Sequence, residues 1–241
     1  MPPSRPVFVR SLGVILNRLE FRTLALIVAA GTAVWAFFKI SDEVRENETE
    51  AIDRILLLAL RTPGHPSDPI GSRSFEEAMR DVTALGGFTF LTLLVTITVL
   101  CLWFYRQRRQ AVVLAVTILA SQASAELLKS FYGRPRPDLV PHGSYVYSHS
   151  FPSGHSMLSA ATFLTIAAIL SSFERRRRAK AFVFAIAMLL TAAVGMSRVY
   201  LGVHWPSDVL AGWTLGAAWA LAGRLALSVW RGGEAPEARS G

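Results

Sequence analysis

Six stretches of the chain are apolar over about 20 residues, the length an α-helix needs to cross the hydrocarbon layer of a bilayer. They lie at roughly 22–40, 82–104, 111–130, 156–173, 181–199 and 207–230. The pattern predicts an all-α, polytopic membrane protein with six transmembrane helices in a bundle. The third stretch, AVVLAVTILASQASAELLKS, is the least apolar. Its Ser, Gln and Glu residues are costly against lipid, so they are expected to face neighbouring helices or a cavity. Between the first two stretches, SDEVRENETEAIDRILLLALR gathers acids before an apolar end, within 41–62. That pattern predicts an interfacial helix lying on the membrane surface after the first span, either shielding the bundle or gating substrate entry. With no internal repeat, low-complexity tract or soluble domain, residues 1–241 read as one membrane-embedded domain with tails at 1–21 and 231–241.

Composition agrees with this reading. Hydrophobic residues make up 52% of the chain and charged residues 17%, more apolar content than a soluble core of this size needs. The formal charge of +8 resides largely in arginines clustered between the spans. Arg5, Arg10, Arg18 and Arg22 precede the first span, Arg106, Arg108 and Arg109 follow the second, and Arg175 to Arg178 with Lys180 follow the fourth. Short basic loops stay in the cytoplasm, so both termini are expected there, and 41–81, 131–155 and 200–206 on the outer face. This distribution favours topology signalling and anionic lipid over nucleic acid, which is not expected as a partner. A single cysteine, Cys101, permits no intrachain disulfide and is read as a packing residue. Trp35, Trp103, Trp205 and Trp230 fall near span ends, where interfacial anchoring explains them.

The unusual polar residues fall at span ends of one parity. Lys129 closes the third span, His155 opens the fourth, Arg198 closes the fifth, and His204 and Asp208 surround the opening of the sixth. All must then share one membrane face, together with Arg134 and Arg136 of KSFYGRPRP. Permanent cations at one boundary repel each other unless an anion joins them, and phosphate oxygens suit the arginine fork. In PSGHS, Ser153 fits a helix N-cap, Gly154 allows close backbone approach, and the helix start offers free amides to an anion. A neutral imidazole can attack phosphorus if its other nitrogen is held by an acceptor, and Asp208, four residues on, has the reach to hold His204. His204 is therefore assigned as nucleophile, and His155 as the acid that protonates the leaving oxygen and then activates water. The cations do what metal ions do elsewhere, so no metal or other cofactor is expected. His142 and His149 are read as solvated loop positions.

These residues carry a resemblance. Lys129, six residues, then Arg136-Pro137; Pro152-Ser153-Gly154-His155; and Ser197-Arg198, five residues, His204, three residues, Asp208 together resemble the three-part signature of the type 2 phosphatidic acid phosphatase superfamily. The signature region spans 129–208. The resemblance implies metal-independent hydrolysis of phosphate esters or anhydrides through a phosphohistidine at His204. It also implies acid catalysis at His155 and phosphate binding by Lys129, Arg136, Ser153, Gly154 and Arg198.

Blander roles exist for single residues. Lys129 and Arg198 resemble snorkelling anchors, and Asp208 complements the positive end of a helix, worth about 0.3 to 1 kcal/mol. Ser153 lacks the G-x-S-x-G turn of a hydrolase nucleophile. A non-catalytic phospholipid transporter is the main alternative of another class, though inverted repeats are missing. A lipid phosphotransferase would use the same residues. The expected substrate is a lipid phosphate in the bilayer: polyprenyl diphosphate, phosphatidate, phosphatidylglycerol phosphate or a lipid A type. A bacterial cell membrane with the site on its outer face follows from the resemblance, and the number of subunits is left open.

Overall fold

The computed structural model describes residues 7–144 and 148–232, of which 7–20 and 231–232 are described as backbone only. In chain order the elements are α1 (Val7–Arg45), α2 (Glu50–Leu58), β1 (Arg61–Thr62), β2 (His65–Pro69), α3 (Arg73–Ala84), α4 (Phe88–Phe104), α5 (Arg108–Tyr132), α6 (Gly154–Phe173), α7 (Arg177–Tyr200) and α8 (Pro206–Gly232). Five helices are long and apolar enough to cross a bilayer: α1 from Phe21, α5, α6, α7 and α8. The pair α3 and α4, bent by 46°, makes the sixth when counted as one span. The bend falls at the paired glycines Gly86 and Gly87, where a helix is readily interrupted.

Two thirds of the α6 span is buried (67%) against 6% of α1, so α6 is the axis of the bundle and α1 lies on its outside. Small residues make the central position possible. Ser156, Ala160, Ala161 and Ala167 of α6 are all buried. On the facing side, a Cβ added to Gly216 of α8 would lie 2.3 Å from the Met157 carbonyl, and one added to Gly212 would lie 2.7 Å from that of Ser153. The Gly-x-x-x-Gly spacing thus lets α8 touch the α6 backbone, the usual solution where lipid removes the hydrophobic drive for helix association. The contact also fixes how the first turns of α6 and α8 meet.

The interfacial helix after the first span is α2, nine residues long. It is shorter than 41–62, because α1 runs on to Arg45. Leu57 and Asp53 of α2 are buried, while Ile52, Ile55 and Leu56 are exposed. A two-stranded antiparallel hairpin, β1 with β2, follows it. The amphipathic α3, capped by Ser72 accepting from the Phe75 amide, completes the segment read from sequence as a loop. Of the polar residues in α5, Ser121 is buried and Ser124 accepts from the Trp219 indole at 3.0 Å. Glu126 does not fit the expectation: its side chain is 58% exposed and bonded to Gln122 of the same helix. Cys101, expected to pack, is exposed on α4. Of the tails, 1–6 and 233–241 lie outside the described residues, and the backbone is already helical from Val7.

Candidate active site

The C-terminal ends of α5 and α7, the N-terminal ends of α6 and α8, and the loops between them meet at one end of the bundle. α8 begins with a proline at its first position, whose missing N–H costs a helix start nothing. Asp208 sits in that first turn and is fully buried. Its Oδ2 accepts from the Trp205 amide at 2.9 Å and from the Ser150 hydroxyl, and its Oδ1 accepts from Arg134 Nη1 at 2.6 Å.

His204, 1% exposed, precedes α8. Its Nδ1 lies 3.4 Å from Asp208 Oδ2 and 3.3 Å from Ser150 Oγ. Its Nε2 lies 3.1 Å from Arg136 Nη1. A guanidinium only donates and an ionised carboxylate only accepts, so both neighbours require the same tautomer: the proton on Nδ1 and the lone pair on Nε2. Burial pushes the His204 pKa down to about 3, against the opposing pull of Asp208, so the ring is neutral at pH 7.

Around this ring stand the cations. Arg136 is held by carbonyl oxygens, donating to Val203 at 2.6 Å and to Ser148 at 2.8 Å. Burial lowers its pKa from the ordinary guanidinium range. Arg198, 2% exposed, donates to Thr83 Oγ1 of α3 at 2.9 Å, and its Nε is buried without a hydrogen-bond partner. Lys129 Nζ reaches Ser148 Oγ at 3.1 Å and has Glu126 at 3.9 Å. Among the described residues neither Arg136 nor Arg198 has a carboxylate within ion-pair distance. Buried charges are ordinarily paired, so this cluster has capacity for an anion.

The α6 N-terminus closes the cluster. Ser153 is buried and caps the helix, accepting from Ser156 N at 3.4 Å, while its own amide donates to the Asp208 carbonyl at 3.0 Å. A Cβ on Gly154 would lie 3.1 Å from Lys129 Nζ, so glycine lets the ammonium reach the helix mouth. His155 is half-buried beside it and within electrostatic reach of Arg198, His204, Lys129 and Arg136. The structure therefore brings together all eight residues singled out from sequence. His142 and His149 are exposed.

Three participants, Ser150, Thr83 and Asp53, were not singled out, and Arg134 was placed on this face from sequence without a role in the chemistry. Ser150 shares the Asp208–His204 contact, Thr83 holds Arg198, and Arg134 bridges Asp208 to Asp53 of α2 at 2.9 Å. The spacing of Arg134 beside Arg136 was a signal for its place near the site. Asp53 and Thr83 carried none, because their roles exist only in the folded chain.

No group of three or more His, Cys, Asp or Glu side chains arranged to hold a metal ion occurs among the described residues. What the cluster offers instead is a nucleophilic nitrogen, a second imidazole and several fixed positive charges around one small space, a set matched to phosphoryl transfer.

The chain is similar to known lipid phosphatases. A phosphatidylglycerophosphatase B of Bacillus subtilis is 38% identical over 143 residues, covering 58% of this chain and 69% of the relative. An undecaprenyl-diphosphatase of Sulfolobus acidocaldarius is 29% identical over 51% of this chain and 58% of its own length. A lipid A 1-phosphatase of Rhizobium johnstonii is 39% identical over 44% and 43%. The crystal structure of a transmembrane PAP2 type phosphatidylglycerolphosphate phosphatase from Bacillus subtilis superposes with a TM-score of 0.75 at 28% identity, covering 86% of this chain and 98% of that one. The profile of the PAP2 superfamily matches residues 110–231, which include both histidines, Asp208 and every cation of the cluster, and the chain belongs to that superfamily.

Proposed function

We propose that the protein is a membrane phosphatase that hydrolyses the phosphate monoester or diphosphate of a lipid, without a metal ion, through a phosphohistidine at His204. The observation that carries this reading is the His204 ring, neutral and fixed with its Nε2 lone pair toward Arg136, which like Arg198 has no carboxylate within ion-pair distance among the described residues. The relatives named above support the class of reaction and of substrate.

A lipid phosphate enters the cluster and its oxygens take up donors of Lys129, Arg136 and Arg198 and the free amides at the start of α6. The Nε2 lone pair forms the N–P bond as the bond from phosphorus to the lipid oxygen breaks, and His155, protonated while the anionic phosphate lies beside it, gives that oxygen its proton. Asp208 stabilises the positive ring. Water then gives a proton to His155 as its oxygen attacks phosphorus, the N–P bond breaks, inorganic phosphate leaves, and both histidines return to their starting states. The positive side chains stabilise the charge on the transferred group in both steps.

A lipid tail has a place to lie. Phe88, Leu91, Val95, Leu119 and Leu158 line an apolar groove between α4 and α5 that also touches Gln122. Gln122 is two turns along α5 from Lys129, about 10 Å at 1.5 Å per residue. A tail in the bilayer and a headgroup in the cluster are therefore compatible. The basic loops support a site on the outer face of the membrane with both termini in the cytoplasm.

The reading is tested by phosphate release from a polyprenyl diphosphate, phosphatidate and phosphatidylglycerol phosphate, with EDTA present, for wild type and His204→Ala. Release by the wild type alone is the expected result. Loss of activity in EDTA, restored by a divalent ion, would overturn the metal-free account, and lipid binding without release would move the weight to a carrier.

A further inference from the structure

The bridge from α2 to the nucleophile's partner has no part in the chemistry described so far. Arg134 lies between two buried carboxylates. Its Nη1 donates to Asp208 Oδ1 at 2.6 Å and its Nη2 to Asp53 Oδ2 at 2.9 Å. Ser207 tightens the same knot: its hydroxyl accepts from Arg134 Nη1 at 2.8 Å and donates to Asp53 Oδ2 at 2.5 Å, while its amide donates to Asp53 Oδ1 at 2.9 Å. The indole of Trp205 lies 5.7 Å from the guanidinium centre, within cation–π range. Asp53 is 2% exposed and Asp208 fully buried, so the geometry is set in a medium where such contacts are strong.

An arginine facing one carboxylate prefers to engage both oxygens with its fork. Were Arg134 free to do so, it would compete for Asp208 Oδ2, the oxygen facing His204 Nδ1. Asp53 holds Nη2 from the other side, and Arg134 remains on Oδ1 alone. Asp53 belongs to α2, whose opposite face exposes Ile52, Ile55 and Leu56. We propose that Asp53 is a positioning residue: by holding Arg134 it keeps Asp208 Oδ2 for His204 and makes the seating of the interfacial helix α2 part of the chemical step. This rests on the phosphatase reading above.

A purely structural role is the competing account, since Asp53 also accepts the Ser207 amide at the start of α8. Asp53→Asn separates the two, because the asparagine oxygen can still accept that amide while its NH2 group cannot hold Arg134. The experiment uses the full chain in phospholipid nanodiscs, with kcat and KM for phosphatidylglycerol phosphate and for a small aryl phosphate, in wild type, Asp53→Asn, Arg134→Gln and the double variant. The expected result is a loss of kcat of about ten- to a hundredfold in Asp53→Asn on both substrates, as for a small misplacement of a catalytic group. KM should change by less than about threefold, and Asp53→Asn should cost nothing further once Arg134 is replaced. Unchanged kcat, a loss confined to the KM of the lipid, or losses that multiply in the double variant would overturn the proposal. Should Asp53→Asn not yield folded protein, Arg134→Lys, whose single ammonium cannot bridge the two carboxylates and is left free to approach Asp208 Oδ2, is expected to lose the same order of kcat, and wild-type kcat there would overturn it equally. A wild type that releases no phosphate from either substrate overturns the phosphatase reading itself and this proposal with it.

Discussion

His204 and Asp208, four residues apart, face each other across 3.4 Å, and that contact sends the histidine's proton to Nδ1 and its lone pair toward Arg136. Everything claimed for the site depends on this relationship, because a ring in the other tautomer has no nucleophilic nitrogen on the side of the cations.

The role of His155 is tested by its dependence on the leaving group. An alkoxide needs a proton as it departs, whereas a nitrophenolate departs without one. His155→Ala is expected to lower kcat/KM by about 10² to 10⁴ for a lipid alkyl phosphate, and by much less for 4-nitrophenyl phosphate. Equal losses on the two substrates would remove the acid role.

Arg198 is expected to trade stability for binding. A buried guanidinium without a carboxylate carries an uncompensated desolvation cost. Arg198→Met should raise the thermal midpoint by a few degrees while lowering activity by about 10² or more. Inorganic phosphate at about 100 times its Kd should stabilise the wild type by about 2.7 kcal/mol and leave the variant unmoved. Thermal unfolding with and without phosphate reads both effects, and equal stabilisation of the two proteins would contradict the assignment.

The neutral, buried His204 also predicts a dependence of stability on pH. Its folded pKa of about 3 lies below the ordinary 6.5 of the unfolded chain. Between those values the unfolded state binds the extra proton, so this contribution is present above about pH 6.5 and is lost as pH falls toward 3. The thermal midpoint of the wild type should therefore fall more steeply between pH 7 and 4 than that of His204→Gln. Parallel slopes would contradict a buried neutral ring.

Much of this was legible in the sequence because hydropathy and chain direction determine which helix ends share a face. Lys129, His155, Arg198 and Asp208 could be placed together from span parity alone. The α3 helix was less legible: Arg73–Ala84 is amphipathic rather than apolar, and the Ser72 cap preceding it was the available signal. Asp53 was hidden for a different reason. It stands in an acidic run with Asp42, Glu43, Glu46, Glu48 and Glu50, where a carboxylate ordinarily faces water, and only the fold, which brings Arg134 and Ser207 onto it, buries this one. Thr83 and Ser150 are short polar side chains whose partners are distant along the chain, at Arg198 and Asp208.

The most direct test of the central claim is to mix the protein with a lipid substrate labelled with radioactive phosphate, quench within one turnover, and map the bound label. The account predicts a covalent phosphate on His204, stable in base and labile in acid, absent from His204→Ala and accumulating when His155 is replaced and a nitrophenyl substrate is used. Phosphate release at the full rate by His204→Ala, or label on any other residue, would contradict it.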